Sequence, residues 1–194
     1  MIAQHDIKVN ALGLFFKHYG LGYQYNINAQ FSAGVFINYS ANPNILSVEN
    51  FYSDLHGINN ASRSDFSFSP EIRYYLYPTF WADSRYIGAY FRYRTGEWKD
   101  LYYMDSSYSK ELYYNMNYSN YVIGILTGYK WLTSSGIYIE TYTGFGRAVG
   151  YTTELSTTYA KNHFEKNGGL AEYEFLSSWD LRFQIAVGYR IGGY

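Results

Sequence analysis

One stretch of the chain alternates in character at every position: Leu181-Arg182-Phe183-Gln184-Ile185-Ala186-Val187-Gly188-Tyr189-Arg190-Ile191. Large apolar side chains occupy its odd-numbered positions, and polar or small side chains occupy its even-numbered positions. Successive side chains of a β-strand point to opposite faces. The stretch therefore predicts a strand with one face against an apolar medium and the other against a polar or crowded one.

The same alternation recurs in seven further segments, of which the first covers residues 7–15. Long polar connections are predicted at about residues 41–65, 95–118 and 149–178, and short turns separate them. Pro70 lies in the fourth segment and has no backbone N–H, so a bulge or a late strand start is expected there. An even strand number with alternating short and long connections is typical of outer-membrane barrels.

These patterns predict an all-β fold: an eight-stranded antiparallel up-and-down transmembrane β-barrel with short periplasmic turns and long extracellular loops. A single domain over residues 1–194 is expected. No run of about 18 apolar residues occurs, which excludes a membrane-spanning helix. A mean hydropathy of −0.31 agrees with a barrel, because its strands are only half apolar. We expect a signal peptide to have been removed near Gln4.

The composition also excludes some classes of function. A net charge of −1 gives no electrostatic footprint for nucleic acid. Cysteine is absent, so disulfides and thiolate metal sites are excluded. Aromatic residues make up 22% of the chain, and such richness favours strands and membrane interfaces.

Alternation alone is shared by soluble lipocalin-like ligand-binding barrels, in which the apolar face points inward. Two patterns favour the membrane barrel. Glycine is frequent on the polar faces, which suits a crowded interior. The four tryptophans fall at the two levels expected for aromatic girdles, with Trp81 and Trp131 at the short turns and Trp98 and Trp179 beside long connections. The predicted location is the bacterial outer membrane, in contact with outer-membrane lipid and lipopolysaccharide.

Eight strands enclose a lumen that side chains fill. The predicted inward-facing polar side chains are Lys8, Gln24, Asn38, Glu71, Arg73, Arg92, Arg94, Lys130, Glu140, Arg182, Gln184 and Arg190. Because a buried charge must be paired, we expect Glu71 and Glu140 to lie in a cluster with Arg73, Arg92 and Arg182.

The remaining cations near the short turns are Lys8, Lys130 and Arg190, and we expect water to solvate them at the periplasmic mouth. The main prediction is a lumen closed by ion pairs. An anion pathway through the lumen is the alternative.

Several short motifs carry a resemblance to a known family: Ile7-Lys8-Val9-Asn10-Ala11-Leu12, Leu21-Gly22-Tyr23-Gln24-Tyr25, Phe31-Ser32-Ala33-Gly34-Val35, Pro70-Glu71-Ile72-Arg73-Tyr74-Tyr75, Gly144-Phe145-Gly146 and Val187-Gly188-Tyr189-Arg190. Through them the chain resembles the small eight-stranded OmpA-type outer-membrane barrels of Gram-negative bacteria. The resemblance implies export, insertion by the barrel-assembly machinery and, usually, no enzymatic activity. The additional peptidoglycan-binding domain of OmpA is expected to be absent, because the chain ends with the barrel.

Some small outer-membrane barrels are acyl enzymes that modify lipid with a His, a Ser and a carboxylate. His18, His56 and His163 all fall in predicted external connections. Two groups there have suitable chemistry, namely Ser53, Asp54 and His56 in one loop, and Asn162, His163 and Glu165 in another. Neither spacing is diagnostic, and the histidines show no recognisable metal-ligand spacing. We therefore predict no cofactor and no metal.

The predicted long loops combine tyrosine with Ser and Asn. Tyr52, Tyr103, Tyr108 and Tyr114 are candidates for recognition, because this composition gives large contact area with adaptable hydrogen bonding. The alternative is that these rings pack on each other. The predicted function is that of a non-enzymatic barrel, either an accessory subunit beside other outer-membrane proteins or a surface-binding protein. An outer-leaflet acyl enzyme and a soluble lipocalin-like barrel are the two alternatives.

Overall fold

The protein closes into an antiparallel barrel in a computed structural model that describes residues 4–41, 62–79, 81–105, 110–156 and 178–192. The described residues form eight strands and one short helix: β1 (Gln4–Asn10), α1 (Ala11–Phe15), β2 (His18–Asn26), β3 (Phe31–Ala41), β4 (Ser62–Tyr75), β5 (Ser84–Asp105), β6 (Lys110–Leu132), β7 (Ile137–Leu155) and β8 (Trp179–Ile191). Each strand pairs with its sequence neighbour, and β1 pairs with β8. The predicted eight-stranded up-and-down barrel is confirmed.

The two faces of the barrel differ sharply in chemistry. Apolar side chains on the outer face stay exposed, as in Ile125 (68%) and Phe183 (63%). Charged side chains on the inner face are buried, as in Glu140 (0%) and Arg190 (2%). An apolar exterior contradicts the soluble lipocalin-like alternative, which requires the apolar face to point inward. None of the helices in the described ranges is long and apolar enough to cross a membrane.

The first predicted strand was too long. Residues 7–15 alternate in sequence, but β1 ends at Asn10 and the chain turns into α1. Asn10 acts as the helix N-cap, since its Oδ1 accepts a hydrogen bond of 2.9 Å from the N–H of Gly13. Lys17 then takes a positive φ of 58° before β2 begins. A side-chain cap and a left-handed residue therefore replace the strand that the pattern predicted.

The predicted loop at residues 95–118 was also wrong, because β5 and β6 form a long hairpin there. Their pairing runs from Ser84 with Lys130 to Asp105 with Lys110, with one irregularity between Trp98 and Leu101. The start of the third predicted loop is likewise strand, since β7 continues to Leu155. Tyr, Ser and Asn suggested a loop, but tyrosine is also a favoured strand residue once a neighbouring strand is present.

Pro70 causes neither a bulge nor a late start. β4 runs through it from Ser62 to Tyr75, and Pro70 pairs in register with Val35 of β3. On the other side, the β4–β5 pairs stop at Phe68 and resume at Glu71 without a change of register. The missing N–H therefore interrupts one ladder locally and leaves the strand intact.

Glycines on the inner face make room for tyrosine rings that fill the lumen. A Cβ at Gly124 would lie 2.4 Å from Cζ of Tyr90, and one at Gly188 would lie 2.3 Å from Cζ of Tyr138. Both tyrosines are buried. The rings therefore lie against the inner wall at positions where a Cβ would clash with them.

Candidate functional site

A central charged layer crosses the lumen, formed by Lys8, Glu71, Arg73 and Glu140. Nη2 of Arg73 lies 2.7 Å from Oε1 of Glu71 and 2.9 Å from Oε1 of Glu140. Nζ of Lys8 lies 3.4 Å and 3.1 Å from the same two oxygens. All four side chains are at most 2% exposed. Two carboxylates and two cations, carried by β1, β4 and β7, therefore neutralise each other inside the barrel.

Tyrosine and glutamine side chains complete this central layer. The hydroxyl of Tyr86 donates a hydrogen bond of 2.9 Å to Glu140, and the Arg73 guanidinium lies 4.4 Å from the centre of the Tyr86 ring. Nη1 of Arg73 donates to Oε1 of Gln24 at 3.1 Å. These contacts fix the orientation of the guanidinium, as a buried charge requires.

A second, periplasmic layer is built around Asp6, which the sequence analysis missed. Arg190 approaches Asp6 with both Nε (2.7 Å) and Nη2 (3.0 Å), and Nζ of Lys130 lies 2.5 Å from Oδ2. Asn26 donates to the same Oδ2 at 3.0 Å. The sequence signal was present, since Asp6 has the same parity as Lys8 and lies opposite Arg190 in the β1–β8 register.

The expectation that water solvates the three cations at the periplasmic mouth is wrong. Lys8, Lys130 and Arg190 are 1%, 1% and 2% exposed. They are paired with carboxylates instead, because each lies within reach of Asp6 or of the central layer.

The turn between β4 and β5 folds into this periplasmic end. Arg190 donates through Nη1 to the carbonyl of Trp81 and through Nη2 to the carbonyl of Ala82 at 3.1 Å. The N–H of Ala82 donates to the carbonyl of Ala29 at 2.8 Å. Ala82 is fully buried. The turn therefore covers the periplasmic end of the lumen from beneath.

Two tryptophans of the predicted girdle do not lie on the outer surface. Trp81 packs against the core cluster within the buried turn. Trp98 is 5% exposed and faces inward, with the Arg63 guanidinium 5.1 Å from its ring centre. Trp131 and Trp179 lie outside, at 50% and 41% exposed. Trp98 shares the inward parity of the other even-numbered β5 residues, a signal that the girdle assignment overlooked.

An external layer lies beyond the central layer. Asp180 accepts a hydrogen bond of 2.7 Å from the Tyr90 hydroxyl and pairs with Nη1 of Arg92. Arg92 was predicted to join Glu71 and Glu140, but its carboxylate partner is Asp180. Sequence reasoning missed Asp180, although it has the parity of Arg182.

The remaining members of the predicted cluster meet at Tyr142. The Tyr142 hydroxyl donates to Oε1 of Gln184, and Nη2 of Arg182 donates to the same hydroxyl at 3.1 Å. The Arg182 guanidinium lies over the ring of Tyr90 at 4.6 Å. The structure therefore divides the predicted cluster between the central and external layers.

The external half of the lumen contains a cavity. We call it the external cavity. Its inward-facing polar lining comprises Asn10, His18, Asn38, Ser40, Arg63, Asp65, Ser67, Arg73, Arg92, Arg94, Tyr142, Asp180, Arg182 and Gln184. Among the residues of this lining that the structure describes, arginines outnumber aspartates by five to two. The charged side chains of this lining are thus mostly arginine, and the central layer lies beneath them.

One pair in this cavity has the chemistry of a nucleophile and a base. Nδ1 of His18 lies 2.5 Å from Oγ of Ser40. Asp65 pairs with Ser40 in the β3–β4 register, and Oδ2 of Asp65 lies 3.1 Å from Nε of Arg63. The pair faces the lumen, because His18, Ser40 and Asp65 all line the cavity.

The other catalytic candidates lie outside the described residues: Ser53, Asp54, His56, Asn162, His163 and Glu165. Within the described ranges, no three His, Asp or Glu side chains are placed to hold a metal ion. The predictions that the chain has no metal and no enzymatic activity stay predictions.

The tyrosines predicted to lie in loops are placed differently. Tyr103 is part of β5 and pairs with Leu112, and Tyr114 is part of β6 and pairs with Leu101. Tyr52 and Tyr108 lie outside the described residues. Two of the four recognition candidates thus belong to a regular hairpin.

The arrangement is that of an integral outer-membrane β-barrel. Lipid offers no hydrogen bonds, so a spanning sheet must close on itself and present apolar side chains outward. Both conditions are met by the described strands. The predicted location in the outer membrane is confirmed.

No family model and no curated protein matches the chain, so membership of the OmpA-type family stays a prediction. Three solved structures are similar in fold. Neisserial surface protein A is 12% identical, with a TM-score of 0.49, 98% of this chain covered and 95% of the other. CarO2 of Acinetobacter baumannii is 9% identical, with a TM-score of 0.48 and coverages of 98% and 99%. A major outer membrane protein from Thermus thermophilus is 11% identical, with a TM-score of 0.47 and coverages of 97% and 99%.

Proposed function

We propose that this chain is a non-transporting outer-membrane barrel that binds another outer-membrane protein through a strand platform on its external side. The external platform consists of residues 100–105 of β5, 110–120 of β6 and 148–155 of β7. A tilted strand needs about 9–11 residues to span a bilayer. β5, β6 and β7 contain 22, 23 and 19 residues. About half of β5 and β6 therefore projects beyond the membrane as ordered strand, and this observation carries the proposal.

The composition of the platform suits protein recognition. Its sequence contains Tyr102, Tyr103, Tyr113 and Tyr114 together with Asn115, Asn117 and Ser119. Tyrosine supplies large contact area at low conformational entropy cost, and Ser and Asn supply adaptable hydrogen bonds. Presentation on paired strands also reduces the ordering cost of binding, because less freedom is lost than from a flexible loop.

The interior of the barrel supports a scaffold role over a transport role. The central and periplasmic layers cross the lumen with side chains that are at most 2% exposed, and the buried turn at Ala82 lies beneath them. A solute would have to separate several buried ion pairs to pass. The ordered external surface is therefore the part that can act on other molecules.

The test is the native particle mass with and without the platform tip. Residues 100–114 are replaced by a two-residue Asn-Gly turn, which joins Lys99 to Asn115 as a tight hairpin. Both proteins are extracted from cells in mild detergent, and heat-dependent gel mobility confirms folding. We expect a large particle with a defined companion for the native chain, and one chain plus a micelle for the shortened chain. A single-chain native particle, or equal large particles, would contradict the proposal.

A second candidate function rests on the His18–Ser40 pair. A serine hydroxyl bonded to an imidazole is the minimum of a nucleophile–base pair for acyl transfer. Because the pair faces the external cavity, its substrate would be a small ester rather than a lipid chain in the bilayer. The test is ester hydrolysis by the purified barrel and by Ser40→Ala, His18→Ala and Ser69→Ala, the last removing a buried hydroxyl on β4. Loss of hydrolysis in the first two variants alone supports the candidate, and an inactive native protein excludes it.

A further inference from the structure

We infer that the external cavity is a dead-end binding site for a small oxyanion, a phosphate or carboxylate group, with Arg182 at its centre. The inference does not rest on the external platform, because all the residues that carry it lie inside the lumen. It differs from the anion pathway of the sequence analysis, because the lumen is closed below the cavity.

Arg182 is a buried cation that lacks a carboxylate partner among the described residues. Its side chain is 7% exposed and lines the external cavity. Nη2 donates to the Tyr142 hydroxyl, and the guanidinium lies over the rings of Tyr90 and Tyr142 at 4.6 Å and 5.4 Å. In the part of the chain that the structure describes, Nη1 has no hydrogen-bond partner and no carboxylate lies within ion-pair distance of the guanidinium. A buried guanidinium held in this way has a donor left over for an anion.

Two further N–H donors of the cavity lining also lack a hydrogen-bond partner among the described residues. Nε2 of Gln184 and Nε of Arg92 are buried and have no hydrogen-bond partner within the described ranges. The acceptor oxygen of Gln184 is engaged, because Oε1 accepts from Tyr142, and Nη1 of Arg92 pairs with Asp180. The unsatisfied groups are therefore N–H donors. A ligand whose surface consists of acceptor oxygens would satisfy them.

The guanidinium groups that line the cavity carry the positive charge that attracts an oxyanion. In the described part of the chain, five arginines and two aspartates line the cavity. Asp180 is engaged by Arg92 and Tyr90, and Asp65 lies 3.1 Å from Arg63. Arg73 is held from below by Glu71 and Glu140. Within the described residues, the charge of Arg182 is therefore left without a carboxylate partner in the external half of the lumen, where a low-dielectric wall strengthens its attraction for an anion.

The floor of the cavity makes the site a dead end. Arg73 belongs both to the cavity lining and to the central layer, so the cavity ends where the ion pairs begin. A bound oxyanion would have to displace Glu71 or Glu140 from Arg73 to move further. The geometry points to retention of the ligand rather than passage.

The experiment is calorimetric titration of the full-length folded barrel in a zwitterionic detergent with inorganic phosphate and, separately, with acetate. Ionic strength is held constant with chloride. We expect saturable binding of at least one probe with one site per chain. Arg182→Gln should weaken that binding at least ten-fold, because it removes the charge and one donor of the fork. Lys17→Gln removes an exposed cation at the same end and should leave the affinity within two-fold.

Gln184→Glu is a second variant that tests the same site if Arg182→Gln fails to fold. The new carboxylate retains the acceptor for Tyr142 and places an internal anion beside Arg182. We expect this variant to lose phosphate and acetate binding while its thermal stability is kept or raised. Absence of saturable binding by both probes in the native protein, or equal binding in Gln184→Glu, would overturn the inference. Binding by phosphate alone or acetate alone identifies the class of oxyanion.

Discussion

Asp6 shows how strongly single residues hold the interior of the barrel together. One buried carboxylate pairs with two buried cations, Lys130 and Arg190, that come from different strands. We expect Asp6→Asn to lower the free energy of unfolding by about 3–5 kcal/mol, because removal of one partner leaves buried charge uncompensated. The measurement is denaturant unfolding of the reconstituted barrel.

Glu97 provides the matched control for that substitution. It forms an exposed ion pair with Lys99, at 3.3 Å, and the two side chains are 36% and 54% exposed. Glu97→Gln should cost less than about 1 kcal/mol, since water screens such a pair. Equal losses for the two variants would show that the periplasmic layer contributes no more than a surface ion pair.

Gly124 tests the packing of tyrosine rings against glycine. A Cβ there would lie 2.4 Å from Cζ of Tyr90, whereas a Cβ at Gly144 would lie 3.4 Å from its nearest neighbours, including the same ring. We expect Gly124→Ala to destabilise the barrel by about 1–3 kcal/mol through overpacking. Gly144→Ala should change stability much less. Similar unfolding midpoints for the two variants would contradict this account of the lumen.

At the residue scale, parity in the sequence predicted which side chains face inward. Glu71, Arg73 and Arg182 were assigned in this way and are buried. Their partners could not be predicted, because pairing across a lumen depends on strand tilt and stagger as well as on parity. Arg92 therefore received the wrong carboxylate, and Asp6 was overlooked although its parity was visible.

The turn between β4 and β5 is the element whose role is least visible in the sequence. Trp81, Ala82 and Ser84 all take positive φ, at 76°, 46° and 75°. Such values are unfavourable for residues other than glycine and persist only when the surroundings hold them. Arg190 does so by donating to the carbonyls of Trp81 and Ala82. Trp81 was predicted to lie at a short turn, but the sequence gave no sign that this turn folds into the barrel.

The chain contains no cysteine, so this turn can be tested with single introduced thiols. Ala82→Cys should resist a water-soluble thiol reagent, because the position is fully buried. Adding Arg190→Gln should make the thiol reactive, since the hydrogen bonds that hold the turn are removed. Thr79→Cys, at an exposed position of the same turn, should react in both backgrounds. An unreactive thiol at position 82 in the double variant would show that other contacts hold the turn.

The β5–β6 hairpin is an element that the sequence predicted as a loop and that the structure shows as paired strands. Its polar, tyrosine-rich sequence suggested a loop because its composition resembles that of loops. The backbone forms a strand because each side has a partner to complete the ladder, from Ser84 with Lys130 to Asp105 with Lys110. Pairing is a property of two segments together, and a single-segment pattern cannot show it.

For the whole molecule, the sequence predicted the barrel because the surrounding medium imposes the pattern. Lipid requires an apolar outer face and a closed sheet, so alternation and strand number are enough to identify the fold class. The layers inside the lumen depend on which charged side chains meet, and the sequence pattern does not show this. Water was expected to solvate the cations at the periplasmic mouth, but the structure shows buried ion pairs there.

The central claim is that the apolar exterior lies in lipid and that the external platform lies outside it. A fluorophore attached to Ile125→Cys, Phe183→Cys or Thr152→Cys, one site at a time, reports the surroundings of three exposed positions. In liposomes that contain brominated lipid, we predict strong quenching at residues 125 and 183 and little at residue 152 on the platform. Unquenched fluorescence at 125 and 183, or equal quenching at all three, would contradict the account.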